Sequence, residues 1–520
     1  MNIEKLNFSE TGNFSPIFLD YLDNKDTLQK FYHRRPELKS FEAQLQEKKF
    51  PQANRERLRS VLQKQYTSVA QPSAVTQNIE RLGESNTFTL TTGHQLNIFT
   101  GPLYFIYKIV TVINSCKQLN EAYPDYHFVP VYWMASEDHD FEEINHFHLF
   151  GKDYQWKTEQ KGAVGRFNTE GLQALLEELP GHVDAFEKAY KQHKKLADAV
   201  RCYVNDLFGE QGLIVIDADH PELKAPFRSI MEDDLKTHTA KSLVESCSKE
   251  LEKIGYKTQV FPREINLFYL REDLRERIEK IDDKYVALNT DHHFSESSLL
   301  EELEAHPERF SPNVILRPLY QESILPNLAY IGGPSELAYW LQLKPVFDHY
   351  QLSFPILMPR NFGLVISKSN GRKLQKVPIQ TKDLFLDTQS LVKKFVEENA
   401  EASLSLADEQ KAISSVFETI RAKAMEIDKS LDGYIGKEEN NTLKILSGIE
   451  KRLKKSEERN QETHVRQLES LKDKLFPGGS LQERKENFLN FYINNPAFLD
   501  EVLAHFDPMD YRFYVLYEAE

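Results

Sequence analysis

Phe128-Val129-Pro130-Val131-Tyr132-Trp133-Met134 is apolar at every position, with none of the polar alternation of a half-exposed strand. A strand that is apolar on both faces must be covered on both faces, as in a parallel sheet sandwiched between helices. Gly212-Leu213-Ile214-Val215-Ile216-Asp217 repeats the pattern and ends in a carboxylate, and residues 314–318, 329–331 and 355–358 supply further short apolar runs. Ahead of them, Thr87-Phe88-Thr89-Leu90-Thr91-Thr92 is β-branched and aromatic, and Gly93-His94-Gln95 breaks it. Helical periodicity through Tyr107, Val110 and Ile113 follows. Strands alternating with helices predict an α/β fold, a Rossmann-like doubly wound parallel sheet. It occupies residues 1–380 and is interrupted by inserted segments at about 145–205 and 221–310.

The character changes after Lys382. Ile413, Phe417, Ile420, Ala424, Ile427 and Leu431 are spaced alternately four and three apart, the a/d seam of a coiled coil. Asp432-Gly433-Tyr434-Ile435-Gly436 reads as a break, after which Leu446, Ile449 and Leu453, then Val465, Leu468, Leu471 and Leu475, resume the seam. These residues predict an antiparallel α-helical coiled-coil domain over 381–477, ended by Phe476-Pro477-Gly478-Gly479. Residues 478–520 are expected to pack back on the core. The seam suits an internal spacer and a dimerisation device equally.

With 520 residues, the chain is long enough for about three domains. Its 65 basic against 80 acidic side chains give a net charge of −15, so no global basic field exists to hold nucleic acid or an anionic membrane. Three scattered cysteines without a CxxC pair support neither a disulfide framework nor a zinc ribbon. No run of about 18 apolar residues occurs, and no signal-like segment opens the chain, so a cytoplasmic protein is expected.

Three constellations carry chemistry. In Thr92-Gly93-His94-Gln95, extending to Asn97, Thr100 and Gly101, glycines where a strand meets a helix allow close backbone approach to a ligand. The helix beyond, which carries Lys108, is expected to offer unpaired N–H donors to an anion. The alternative is a tight turn whose His and Gln satisfy local backbone groups. Glu137, Asp138, His139 and Asp140, in an acidic run that continues through Glu142 and Glu143, follow a buried strand directly, and their crowding suits an ammonium, a metal or a hydroxylated substrate, or else the acidic first turn of a helix. His139, His146 and His148 lack the HExxH spacing, so no metal is expected. Gly332-Gly333-Pro334 opens a second helix with Glu336, Tyr339 and Trp340 in its first turns, and Arg360-Asn361 ends a fourth strand. Arg360 suits a bidentate clamp on carboxylate or phosphate, or a structural ion pair. Walker, GxGxxG, GxSxG and kinase motifs are absent from the sequence.

In this order the motifs resemble the bacillithiol biosynthesis cysteine-adding enzymes, a family of cysteine ligases. The matching residues are Thr92-Gly93-His94-Gln95, Phe99-Thr100-Gly101-Pro102-Leu103-Tyr104, Glu137-Asp138-His139-Asp140-Phe141, Arg317-Pro318-Leu319-Tyr320-Gln321-Glu322, Leu325-Pro326-Asn327-Leu328-Ala329-Tyr330, Gly332-Gly333-Pro334, Pro359-Arg360-Asn361 and Gly479-Ser480-Leu481-Gln482-Glu483-Arg484. The chain departs from the family at His94, Ser136 and Phe362, where Gln, Gly and Ser are usual. The resemblance implies a core related to class I aminoacyl-tRNA synthetases, two connecting insertions and a coiled coil that makes a homodimer. It further implies a ligase joining L-cysteine to glucosaminyl malate through an amide, the last step to bacillithiol, with ATP as the expected activator. His94 and Gln95 would hold the activated carboxyl, Glu137, Asp138 or Asp140 the cationic amine, and Arg360 the malate or a phosphate. The competing readings are a non-catalytic tRNA- or nucleotide-binding relative of the synthetases and an oligomeric scaffold.

Overall fold

The computed structural model describes residues 1–70, 72–400 and 403–519. Its central sheet has five strands: β1 (Thr87–His94), β2 (His127–Met134), β3 (Ile214–Asp217), β4 (Asn327–Gly332) and β5 (Ile356–Pro359). They lie in the order β5-β4-β1-β2-β3, and every neighbouring pair is parallel. From the other edge this is the Rossmann order 3-2-1-4-5, whose direction of winding reverses between β1 and β4. All of β1 is buried, and all of β2 except its first residue, as the lack of alternation predicts. Buried hydroxyls join the two strands at the reversal. Thr89 and Thr91 donate to Asn327 Oδ1 at 3.2 and 2.8 Å, and Thr92 donates to the Ile331 carbonyl at 2.9 Å.

Helix α1 (Tyr104–Ala122) links β1 to β2, and α2 (Pro334–His349) links β4 to β5. The stretch from Phe105 to Cys116 in α1 is buried without a break, because the end of the chain covers the side turned away from the sheet. There Asn114 Nδ2 donates to the carbonyls of Leu503 and Phe506 at 2.9 and 2.7 Å.

Between β2 and β3 lie a small hairpin (His146–Leu149 with Lys152–Gln155) and helices that end in Leu196–Phe208, packed on β3. Between β3 and β4 the chain builds helices and a separate five-stranded antiparallel sheet that includes Leu267–Arg271, Leu274–Ile281 and Phe310–Pro312. Residues 314–318, read above as a strand, are instead a turn entering the helix Arg317–Ile324. Asn313 Oδ1 accepts the Ile315 N–H at 2.9 Å, and Pro318 fits the first helical turn, where no N–H is required.

The remainder of the chain contains β6 (Phe362–Ile366), α3 (Thr388–Glu398), α4 (Ala407–Ile427), α5 (Asp432–Asn460), α6 (Glu462–Leu475) and β7 (Phe513–Tyr517). Strand β7 pairs parallel to β6 and antiparallel to Asn2–Leu6, so both ends of the chain share one sheet. Helices α4 and α5 form the hairpin. The reversal comes at Asp428–Leu431, earlier than the expected break at Asp432 to Gly436: Asp428 Oδ1 accepts the Ser430 N–H at 2.8 Å and nucleates the turn. The glycines of 432–436 begin α5, and at Gly436 the Arg421 guanidinium comes within 3.2 Å of where a Cβ would stand. Val465 and Leu468 of α6 leave the hairpin seam and pack against Leu391, Val392, Phe395 and Val396 of α3.

Candidate active site

A cavity of about 420 Å³ opens at the carboxyl ends of β1, β2 and β4, at the point where the strand order reverses. Open α/β sheets bind ligands there, since the loops on either side of the reversal diverge and leave a crevice. Gly93 on β1 and Gly333 before α2 bring backbone to its surface. A Cβ on Gly93 would stand 3.3 Å from the Tyr330 hydroxyl and 3.9 Å from the Arg317 guanidinium, filling the gap between them.

At this surface lies an ion pair whose lysine is buried and whose carboxylate is half-buried. Lys108 Nζ of α1 donates to the Gly93 carbonyl at 2.8 Å and meets Glu336 Oε2 at 2.6 Å. Glu336 also accepts the Tyr330 hydroxyl at 2.6 Å and the Gly333 N–H at 2.8 Å. Burial pushes Glu336 up, but Lys108 and these two donors hold it below its ordinary value, so the carboxylate is ionised. Burial likewise pulls Lys108 down, while Glu336 opposes the shift.

His94 is 8% exposed, stacked on Tyr104 at 5.1 Å, and its Nδ1 lies 3.1 Å from the Gln95 carbonyl. A carbonyl only accepts, so Nδ1 carries the hydrogen and Nε2 is left with its lone pair, buried and without a partner. Burial, aided by the charge of Lys108, pushes the imidazole down to about 3. His94 is therefore neutral at physiological pH and offers an acceptor, not a positive charge, to an activated carboxyl.

The acidic loop after β2 forms one side. Gln95 Nε2 donates to Asp138 Oδ2 at 2.6 Å and reaches Glu143 Oε2 at 3.4 Å, while its Oε1 has no partner. Burial opposes ionisation of Asp138, but its bonds to His139, Arg275 (3.3 Å) and Gln95 hold the carboxyl well below the usual range. Glu143 shifts the other way, raised by burial and then by Asp138 and Asp140. Glu137 is paired with Lys224, and burial lifts it to about 7. His139 and Asp140 lie outside this cavity. His139 accepts from Arg275 at 2.7 Å on the outer face of the antiparallel sheet, and exposed Asp140 caps the helix Phe141–Ile144 through the Glu143 N–H at 3.3 Å.

Basic side chains also line the cavity. Arg360 is 3% exposed, with Nη2 on Glu483 at 2.6 Å and Nη1 on the Asn361 carbonyl at 2.8 Å, so its fork is spent on the protein and Nε alone lacks a partner. Arg317 donates to Gln321 Oε1 at 3.1 Å and to the Tyr339 hydroxyl at 3.3 Å. Arg484 and Tyr104 complete the lining. Sequence reasoning places Arg317 in an apolar strand and gives no reason to send Arg275 or Arg484 here, whereas the acidic run it marks does extend to Glu143. The signals were a lone cation on a strand of the second insertion and a polar tail motif.

Of the other residues singled out from the sequence, Gly93, Lys108, Gly333, Glu336 and Tyr339 line the cavity. Thr92, Asn97, Thr100, Gly101, Gly332 and Asn361 form the structure behind it. Gly101 has φ +61, and a Cβ there would stand 2.5 Å from the Asn97 Cβ. Asn361 is held by Thr111 and the Asp507 carbonyl. The expected open amino end of α1 is covered: Leu103 N–H donates to the Glu486 carbonyl at 2.7 Å, and Asn487 takes the Phe99 and Gly101 carbonyls.

Two family models cover this architecture. The bacillithiol biosynthesis BshC N-terminal Rossmann-like domain matches residues 1–361, and the BshC C-terminal coiled-coil domain matches 363–518. The chain belongs to the BshC family. Full-length relatives agree: a protein of Flavobacterium johnsoniae named "Putative cysteine ligase BshC" is 42% identical over 99% of this chain and 100% of its own. A Cytophaga hutchinsonii protein of the same name is 41% identical over 98% of each. A solved structure described as a "putative arginyl t-RNA synthetase" of Campylobacter jejuni covers 84% of this chain and 98% of its own at 10% identity, with a TM-score of 0.22. The BshC family thus accounts for both the Rossmann sheet and the helical arm, and the cavity falls within the part matched by the Rossmann-like domain, apart from Arg484.

Proposed function

We propose that this BshC chain is a ligase of bacillithiol biosynthesis that joins the carboxyl of L-cysteine to the amine of glucosaminyl malate. The observation that carries the reading is the polarity of the cavity, which sets the carboxylates Asp138 and Glu143 beside Gln95 and the cations Arg317, Arg360 and Arg484 in the same lining. An acceptor with an amine at one end and a dicarboxylate at the other complements that polarity. The amine enters at the acidic corner, where the Gln95 Oε1 acceptor and Asp138 orient it. To attack a carboxyl carbon it must shed a proton. Asp138 is too acidic to take that proton, whereas Glu143, raised by burial and its acidic neighbours against the weaker pull of Lys108, is suited to do so.

ATP is the proposed activator and would turn the cysteine carboxylate into an acylating form. The residues present fit an anionic group: Gly93 leaves a gap beside the Arg317 guanidinium, and that guanidinium meets neutral groups rather than a carboxylate. Neutral His94, walled by Tyr104 and Phe105, excludes water from the base of the site. Incubating purified protein with L-cysteine, glucosaminyl malate and ATP should yield the cysteinyl amide by mass spectrometry, and a strain lacking the protein should accumulate glucosaminyl malate. Normal thiol levels in that strain would sink the assignment.

A further inference from the structure

The chain returns to the active site after the helical arm as a short strap. Gln482 brackets Val365, accepting its N–H at 2.8 Å and donating to its carbonyl at 3.0 Å. Glu483 takes Arg360 Nη2 at 2.6 Å and the Gly363 N–H at 2.9 Å. Four residues after Glu483, Asn487 Nδ2 donates to the Phe99 and Gly101 carbonyls at 2.8 and 2.7 Å. Gln482, Glu483 and Asn487 are each 4% exposed or less. Arg484, set between these anchors, is exposed and lines the cavity.

The other cations of the cavity are already engaged. Lys108 is paired with Glu336, Arg275 with Asp138 and Arg360 with Glu483, while Arg317 spends both terminal nitrogens on Gln321 and Tyr339. Among the described residues, no hydrogen bond or ion pair engages the Arg484 guanidinium. Its backbone is held in place on both sides before any ligand arrives, so little ordering remains to be done on binding.

We infer that Arg484 is a specificity residue of this site, taking a carboxylate of the acceptor's dicarboxylic arm in its guanidinium fork, and that the strap 482–487 is therefore part of the active site. The inference rests on the function proposed above. A planar fork matches a carboxylate with two parallel N–H bonds, a geometry that a lysine does not reproduce. Arg360 acts through Glu483 as a positioning residue: their buried pair seats the strap from which Arg484 projects.

The test uses the full-length protein and two readouts. Calorimetric titration with L-malate should give affinity to the wild type that falls roughly 10- to 100-fold in Arg484→Gln and partly recovers in Arg484→Lys. In the ligase assay, the preference for glucosaminyl malate over methyl glucosaminide, measured as the ratio of kcat/KM values, should fall by a similar factor. Equal malate affinity in wild type and Arg484→Gln, no malate binding to the wild type, or an unchanged preference would each overturn the inference. Malate binding that depends on Arg484 in a protein that forms no amide would leave this site standing and refute the proposed reaction instead.

Discussion

Two carboxylates on one loop, Asp138 and Glu143, are driven apart by their surroundings. Asp138 gains His139, Arg275 and Gln95 as partners, whereas Glu143 is raised by partial burial and two acidic neighbours. Such divergence is how one site holds a binding group and a proton acceptor together. Glu143→Gln should therefore lower kcat by about 10²–10⁴ with a modest change in KM, while Asp138→Asn should mainly raise KM. Steady-state kinetics on glucosaminyl malate separates the two, and an unaffected kcat in Glu143→Gln would remove that residue from proton transfer. His94 makes a stability prediction. Its folded value is about 3 against about 6.5 in the unfolded chain, so between those limits the unfolded state binds the extra proton. Its contribution is fully present above pH 6.5 and is lost as pH falls, about 2 kcal/mol between pH 7 and 5. Urea unfolding at both pH values should show a smaller loss in His94→Gln than in the wild type; equal losses would mean that His94 is not the group responsible.

At the scale of elements, the parallel strands were legible because burial on both faces removes the polar alternation from β2 and β3, a signature that survives in one dimension. The glycine turn and the acidic loop were legible for a related reason, since each follows its strand directly and so stands at the sheet's ligand-binding end. What could not be read was which distant element covers them. Arg275 comes from an antiparallel sheet inserted between β3 and β4, and Arg484 from beyond the helical arm. Local spacing encodes neither placement. Residues 314–318 misled because a helix entered through Asn313 and Pro318 can be as apolar as a strand. The Arg360–Glu483 contact joins the end of β5 to the strap with both side chains 2% exposed or less. Removing one partner strands a buried charge, so Glu483→Gln should destabilise the protein by about 3–5 kcal/mol. Replacing both residues with Met should cost less than the two single changes added together. Denaturant unfolding of the four proteins closes that cycle, and additive losses would show that the pair is not coupled.

Across the whole molecule, the arm stands apart from the core in how it treats apolar side chains. Helix α4 buries none of its residues within the chain and α5 buries only Ile435, while Ile420, Ile427, Ile449 and Leu453 remain 45%, 84%, 45% and 40% exposed. We propose that these apolar side chains, exposed along a long hairpin, are covered by another molecule. A second copy of the same hairpin supplies a matching stripe under twofold symmetry. The strap carrying Arg484 begins only a few residues after α6, so the proposed pairing of two arms would also steady the segment that completes each cavity. Ile420→Glu combined with Ile449→Glu places like charges on that stripe without touching the cavity. Sedimentation equilibrium should then report one chain mass where the wild type reports two, with helix content by circular dichroism retained. A wild type that sediments as a single chain at micromolar concentration, or a double variant that keeps the wild-type mass, would show that the seam is not the dimer contact.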